Sequence, residues 1–267
     1  MKTLKITLAL LASISILSCS SDDEETTEDL TGETGSVTLK FDNSVNGDDF
    51  IFGTEYSRSN GETYTINTLK YIVSNITLTK DDGTVFEYSD DSDIFIVDEA
   101  DTNDAGEYWI TLDGIDAADY TSITFGIGVD QERYSKGADG QGDFLAEAEA
   151  EEMTWAWAMG YKFFRVDGSY GPLANDTDSD LLSIHMGSIG ETVDNYQDVT
   201  LALPNTILVR EDMTPEVHIV ADIAKVFDGV TSLNFANGDS EIHGGEKTTI
   251  VANNINTMFT AHHVHNQ

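Results

Sequence analysis

The clearest structural signal in this chain is the stretch Leu69-Lys70-Tyr71-Ile72-Val73-Ser74-Asn75-Ile76-Thr77-Leu78. Apolar residues alternate with other residues from Leu69 to Val73, which is typical of a half-buried β-strand. The alternation then shifts by one residue, because Ile76 and Leu78 continue it in the opposite phase. A shift of this kind inside one strand predicts a β-bulge near Ser74-Asn75.

Strand-like segments recur on both sides of this stretch. They are residues 37–41, 85–88, 94–97, 108–112, 123–129, 153–163, 199–203 and 217–221. Asp81-Asp82-Gly83 predicts a hairpin turn between two of them. Gly126 and Gly128 lie opposite the apolar face of their strand, so they allow another backbone or a large ring to approach closely.

Helical signals are short and few. Residues 222–227 and 250–259 predict short helices, and residues 144–152 predict a short helix or an acidic loop. Turn signals recur at the spacing of a sandwich. We therefore expect an all-β fold, an antiparallel β-sandwich with one or two short helices, over residues 37–267.

The first residues have the pattern of an export signal. Lys2 and Lys5 flank the start of an apolar run over residues 4–17, which is shorter than the roughly 20 apolar residues that span a bilayer. Residues 1–18 therefore predict a signal peptide, and its end at Ser18-Cys19 resembles a bacterial lipobox. Cys19 is the predicted lipidation site; an ordinary signal peptide with a chance cysteine is the alternative.

Residues 19–36 are polar and acidic, which predicts a disordered tether. The run Asp22-Asp23-Glu24-Glu25 beside the cysteine resembles the surface-export signal of Bacteroidetes lipoproteins. We expect a protein anchored by lipid to the outer membrane, on its periplasmic side or at the cell surface.

Composition excludes several classes of function. The formal net charge is −36, so the phosphate backbone of a nucleic acid would be repelled. Cys19 is the only cysteine, which leaves His, carboxylate, amide, Met or a modified side chain to hold a metal. The sequence has no Gly-x-Ser-x-Gly elbow, phosphate-binding glycine loop or His-Glu-x-x-His motif, and we expect no enzymatic activity.

The sequence contains six histidines, the residue type best suited to bind a metal here, and three of them lie in the last six residues. His263 and His265 point the same way in an extended segment, so both could reach one ion, although a solvated tail is the alternative. His185 lies in an apolar stretch that is typical of a hydrogen-bonded core histidine. His218 alternates with Val217 and Ile219, which predicts a surface position; His243, before two glycines, reads as a loop residue.

Two further segments are candidates for chemistry. Trp155 and Trp157 share one face of an unusually aromatic stretch, which by itself indicates core packing. The segment Asn175-Asp176-Thr177-Asp178-Ser179-Asp180 offers alternating carboxylates that could bind calcium, but it lacks the glycine and distal Glu of an EF-hand loop, so a solvated loop is the stronger interpretation.

Several of these pieces together resemble the MbnP-like family, relatives of a periplasmic protein encoded with methanobactin and of the copper-binding proteins MopE and CorA. The matching pieces, in family order, are residues 69–78, Phe125-Gly126-Ile127-Gly128-Val129-Asp130, residues 153–161 with Trp-x-Trp and Gly-Tyr, Ile184-His185-Met186-Gly187 and the terminal His-Val-His-Asn.

The resemblance implies a β-sandwich that binds copper outside the cytoplasm. It also implies that a tryptophan is oxidised to kynurenine, whose amino group joins histidines around the copper, and that a di-haem peroxidase-like partner performs the oxidation. Carried over to this chain, Trp155 or Trp157 is the candidate for modification, and His185 with the pair His263 and His265 are the candidate ligands.

Some features of the site are left open by the resemblance. Asp130 or Asp167 could accept hydrogen bonds from the distal N–H groups of the ligands. In MopE-type sites a histidine follows the modified tryptophan by two residues, and Trp157 takes that place if Trp155 is modified.

Three hypotheses for function remain. The first is a copper-binding lipoprotein for acquisition, buffering or delivery. The second is a non-catalytic binding or adhesion module, and the third is an electron-transfer role with tryptophan relays.

Overall fold

The computed structural model describes residues 28–89, 93–156, 160–171, 180–188 and 193–267. Its strands are β1 (Thr34–Val45), β2 (Asp48–Asp49), β3 (Tyr56–Ser57), β4 (Thr63–Lys80), β5 (Val85–Glu87), β6 (Phe95–Asp98), β7 (Glu107–Asp116), β8 (Ala118–Ile127), β9 (Lys162–Tyr170), β10 (Asp180–Gly187), β11 (Gln197–Val209), β12 (Glu216–Asp222), β13 (Glu241–Ile242) and β14 (Phe259–His265). Its α-helices are α1 (Gln131–Ser135), α2 (Phe144–Ala150), α3 (Ala224–Asp228) and α4 (Glu246–Ile255). Short 3-10 turns span Glu99–Asp101, Ala138–Gln141 and Phe235–Asn237.

The described strands form two sheets that pack as a sandwich. The larger sheet has the order β11-β8-β4-β9-β10-β13, and β3, β5 and β6 also pair with β4. The smaller sheet has the order β14-β12-β1, and β2 and β7 both pair with β1. No helix within the described residues is long and apolar enough to cross a membrane.

Strand β4 carries the predicted bulge. Its pairing with β8 shifts register between Ser74 and Thr77, and Asn75 has a φ of 48°. Asn is among the non-glycine residues that tolerate this left-handed conformation best. The shift in apolar phase therefore located the bulge correctly.

The predicted β-sandwich is confirmed and most of its strand pairs are antiparallel, but two pairs are parallel. β1 pairs with β12 in parallel and β10 pairs with β13 in parallel, so both sheets are mixed. Alternation reveals which face of a strand is buried, but not the direction of the neighbouring strand. The described residues also contain four short α-helices rather than one or two.

Three predicted boundaries differ from the structure. The helix expected over residues 250–259 begins earlier and ends at Ile255, and Phe259 starts the last strand. The strand expected over residues 153–163 begins only at Lys162, and Thr154 and Tyr161 before it form an isolated antiparallel bridge. β1 begins at Thr34, within the segment assigned to the tether.

Aromatic rings join the two sheets in the core. Phe41 of β1 and Phe259 of β14 both contact Phe125 of β8 edge to face, with ring centroids 5.6 and 5.1 Å away. Tyr71 of β4 lies 5.8 Å from Phe259. Edge-to-face pairs at these distances stabilise a core beyond the area they bury.

The two glycines of β8 provide the predicted close approach of large rings. A Cβ added at Gly126 would lie 2.6 Å or less from the ring and hydroxyl of Tyr196, and one added at Gly128 would lie 2.3 Å from the ring of Phe163. Tyr196 Oη in turn accepts a hydrogen bond from Asn75 Nδ2 at 2.9 Å. Glycine is required here because any side chain would overlap a ring.

Candidate metal centre

The outer face of the larger sheet carries a polar cluster around His185. Ile184 and Met186 are fully buried, so His185 between them points to the opposite face of β10. Antiparallel pairing with β9 sets Ser183 directly opposite Asp167. Ser183 Oγ donates to Asp167 Oδ1 at 2.7 Å, and His185 Nε2 donates to the same oxygen at 2.8 Å.

A second histidine stacks on the first. β13 pairs in parallel with β10 so that Ile242 lies beside Ile184, and the next residue, His243, therefore lies beside His185. The two imidazole centroids are 4.6 Å apart with an interplanar angle of 29°. Burial, and then the neighbouring His185, lower the pKa of His243, which favours the neutral imidazole that binds metals.

The hydrogen bonds determine which ring nitrogens remain free. Ser183 gives its only proton to Asp167, so His243 Nε2, 2.9 Å from Ser183 Oγ, must act as the donor in that contact. His185 Nε2 also donates, because the carboxylate only accepts. In its neutral form each histidine therefore carries its proton on Nε2 and has its lone pair on Nδ1, which is the arrangement of a metal ligand held by a carboxylate or hydroxyl.

Asp167 is the carboxylate that holds this arrangement. Burial acts to raise its pKa, but hydrogen bonds from His185, Ser183 and Arg165 keep the pKa well below its usual range. Arg165 Nε donates to Asp167 Oδ2 at 2.7 Å. Asp167 thus stays ionised and orients His185, in the role predicted for Asp130 or Asp167. Asp130 instead caps α1 through Arg133 and accepts from Asn75.

Trp155 lies beside His185. Its ring lies 6.3 Å from that of His185, and its indole Nε1 donates to the carbonyl of Ser188 at 3.3 Å. The side chain is buried in a loop between α2 and β9, where Met153 N donates to Ala148 O and Lys162 N donates to Met153 O, each at 2.7 Å. Trp157, the other candidate for modification, and the predicted calcium loop at residues 175–180, apart from its last residue, lie outside the described residues.

A cavity adjoins Trp155. It has a volume of about 290 Å³ and is lined by Tyr134, Leu145, Trp155 and Tyr161, among others. Its size admits a small molecule to the indole ring. Trp155 is therefore buried but borders a cavity that could hold a small molecule.

The predicted ligands His263 and His265 lie elsewhere. Their strand, β14, is an edge of the smaller sheet and packs against β11, and β11 is separated from β10 by four strand spacings, roughly 19 Å at 4.8 Å each. The rings of His263 and His265 are 4.6 Å apart, so this pair shares a face as expected. Burial and the neighbouring His218 lower the pKa of His263. The structure therefore brings His185 together with Trp155 and His243, and not with His263 and His265.

Comparison with known proteins identifies the family. The sequence profile of the MbnP family matches residues 34–245. The chain belongs to the MbnP family. The solved structure of MbnP from Methylosinus trichosporium is similar to it with 15% sequence identity, over 80% of this chain and 82% of that chain, at a TM-score of 0.47. No curated protein matches the chain.

The matched part of this MbnP-family chain includes only some of the candidate site residues. Trp155, His185 and His243 lie inside the matched residues, whereas β14 lies beyond them. His243 was not predicted as a ligand, because it is 58 residues from His185 and becomes its neighbour through the parallel pairing of β13. His218 and His262, which contact His263, were not predicted as ligands either.

The donor set beside Trp155 fits a copper ion. Two imidazoles that donate from Nε2 can each offer Nδ1 to a metal, and imidazole is a ligand that copper accepts readily; an aryl amine, if formed from the tryptophan, would supply a third nitrogen. The carboxylate of Asp167 orients His185, and Ser183 orients His243. The described residues that would hold a copper ion here are therefore His185 and His243.

Proposed function

We propose that this protein is an exported, lipid-anchored copper-binding protein that acquires, buffers or delivers copper. Family membership supports the coarser role, a periplasmic association with copper. The observation that carries the finer proposal is that Trp155 lies beside His185, which stacks on His243, while Asp167 and Ser183 orient the two histidines through their Nε2 atoms. His263 and His265, proposed from the sequence, are left out of this site because they lie on another sheet.

The proposed third ligand is the amino group of a kynurenine made from Trp155 or Trp157. Cleavage of the indole C2–C3 bond with addition of two oxygen atoms gives N-formylkynurenine, and hydrolysis releases formate. Two molecules of hydrogen peroxide supply the oxygens and leave as two waters, and a di-haem peroxidase-like partner is the proposed catalyst. The cavity beside Trp155 supports access of a small oxidant to the ring.

Cys19 is the proposed anchor. A cysteine that carries several acyl chains is held far more firmly than a singly acylated protein, which binds membranes only marginally. We expect metabolic labelling with a fatty acid to mark the wild-type protein and not Cys19→Ser. Label retained by Cys19→Ser would contradict this assignment, and protease shaving of intact cells separates surface from periplasmic exposure.

The first test of the copper site is mass spectrometry with metal analysis on protein from its native host. Conversion of one tryptophan to kynurenine adds about 4 Da, and stoichiometric copper should accompany it. Peptide analysis should locate the change at Trp155 or Trp157. Unmodified tryptophans in protein without copper would contradict the proposal and favour the binding or adhesion module.

Variants then separate the ligands from the scaffold. His185→Ala and His243→Ala should each abolish stoichiometric copper at this site, whereas His262→Ala on the other sheet should not. Asp167→Asn should weaken copper binding by on the order of 10- to 100-fold, because it orients a ligand without binding the metal itself. Copper retained at this site in the double variant His185→Ala/His243→Ala would exclude both residues as ligands.

A further inference from the structure

The outer face of the smaller sheet carries a second cluster of histidines. His218 of β12 and His262 and His263 of β14 each offer one ring nitrogen within 4.8 Å of the others. The centroid of the His218 ring lies 4.6 Å from that of His263 and 5.5 Å from that of His262. This is the one group of three or more His, Cys, Asp or Glu with metal-binding spacing among the described residues.

A β-bulge makes this cluster possible. Consecutive residues of a regular strand point to opposite faces, so His262 and His263 would normally diverge. The pairing of β12 with β14 shifts between His218 and Ile219: His218 pairs with His263, and Ile219 pairs with Ala261. His262 is the extra residue of a bulge, and its side chain is turned toward the same face as His263. Bulges that redirect a side chain in this way are frequent beside functional sites.

His218 has the surroundings of a metal ligand. Its Nε2 donates to Asp42 Oδ2 at 3.0 Å, and Glu107 Oε1 lies 3.8 Å away. Its Nδ1 is buried and has no hydrogen-bond partner among the described residues. Buried polar atoms are rarely left without a partner, and such an atom calls for an explanation such as an ion. A carboxylate that accepts from one ring nitrogen while the other faces a metal is a recurrent arrangement.

The charges around the cluster do not oppose a cation. Lys40 lies beside His218 in the sheet, but its ammonium pairs with Glu216 at 2.7 Å and lies over the ring of Trp109 at 4.3 Å. Asp42 and Glu107 add negative charge next to His218. His262 Nδ1 lies 2.8 Å from His263 Nδ1, so without a metal these two rings can only share one proton between them.

We propose that His218, His262 and His263 form a second metal site, for a divalent ion of the zinc and copper class. Imidazole is the ligand type that these ions share. Two nitrogens bound to one tetrahedral zinc lie roughly 3.3 Å apart, so modest side-chain rotations close the cluster on an ion. His265, whose ring is 4.6 Å from that of His263, is the nearest further imidazole. This site goes beyond the copper site at Trp155, since it needs no modified tryptophan and lies on the other sheet.

The test uses the full mature chain made without any oxidising partner, so that its tryptophans stay unmodified, and stripped of metal with a chelator. Isothermal titration with Zn²⁺ should show one equivalent bound, and a matched titration with Cu²⁺ should show an equivalent at the same residues. The double variant His262→Ala/His263→Ala and the single variant His218→Ala should each lose that equivalent. Asp42→Asn should lower the affinity for Zn²⁺ by on the order of 10- to 100-fold.

Two controls keep the outcome specific. Thr260→Ala changes an exposed residue of the same strand and should bind Zn²⁺ as the wild type does, and His185→Ala removes the other candidate site and should leave this equivalent intact. Circular dichroism should confirm that every variant is folded. For His262 this is expected, because its side chain is exposed. The proposal would be overturned if the wild type bound no stoichiometric Zn²⁺, or if His262→Ala/His263→Ala still bound it. Loss of the bound Zn²⁺ in His185→Ala alone would assign the metal to the copper site and would also overturn the proposal.

Discussion

Glu99 is a buried carboxylate whose surroundings oppose its ionisation. Its Oε2 accepts a hydrogen bond from Asn43 Nδ2 at 2.8 Å, and Asn43 Oδ1 accepts one from the hydroxyl of Tyr71. Burial raises the pKa of Glu99 to about 7, the charges of Asp42 and Asp98 act in the same direction, and the bond from Asn43 acts against them. This residue therefore links the stability of the protein to pH within the physiological range.

The sign of that link follows from the two pKa values. Because the folded-state pKa of Glu99 lies above its ordinary value of 4.5, its contribution is fully present below pH 4.5 and is lost as pH rises through about 7. We expect this to remove about 3 kcal/mol of unfolding free energy between those limits. Glu99→Gln should flatten the difference between urea unfolding curves at pH 5 and pH 8, whereas the exposed change Glu87→Gln should not. Equal pH dependence in Glu99→Gln and wild type would refute the assignment.

At the scale of elements, Arg58 joins the hairpin of β3 and β4 to α3. Its guanidinium pairs with Asp228 at 2.7 Å and with Glu62, and it donates to the carbonyls of Phe227 and Leu233. The side chain is only 1% exposed. Truncating one partner of such a network leaves charges and carbonyls buried without partners, and this is costly.

Replacing Arg58 should therefore destabilise the whole fold. We expect Arg58→Met to lower the unfolding free energy by about 3–5 kcal/mol, measured by urea denaturation. Lys136→Met removes an exposed ion pair with Glu132 and should change stability by less than about 0.5 kcal/mol. A loss in Arg58→Met no larger than that of the control would show that the network contributes little.

The strands show which local features could be predicted from the sequence and which could not. The bulge at Asn75 and the close approach at Gly126 and Gly128 were predictable, because each depends on residues within one strand. The neighbours His185 and His243, and the bulge at His262, were not, because each depends on which strand lies alongside. Local alternation carries no information on such pairing. The family resemblance pointed to His185, which the structure places beside Trp155, and only the structure shows that His243 is its neighbour.

At the scale of the molecule, the two candidate metal sites share a design but not a location. In each, a histidine donates from Nε2 to an aspartate and keeps Nδ1 free, Asp167 for His185 and Asp42 for His218. The sites lie on the outer faces of different sheets, and no described residue contributes to both. Additive effects on metal content are therefore expected when variants of the two sites are combined.

The net charge is the other property of the whole molecule with a testable consequence. With 49 acidic residues against 13 Lys and Arg, repulsion between carboxylates opposes the compact state. Salt screens that repulsion. Salt also weakens the exposed ion pairs, but each of these contributes little to stability. We expect the melting temperature in metal-free buffer at pH 7.5 to rise by roughly 2–4 °C, equivalent to about 1 kcal/mol, between 0.02 and 0.5 M sodium chloride. The rise should shrink at pH 4.5, where many carboxylates are neutral; a melting temperature that falls with salt would mean that the ion pairs outweigh the repulsion.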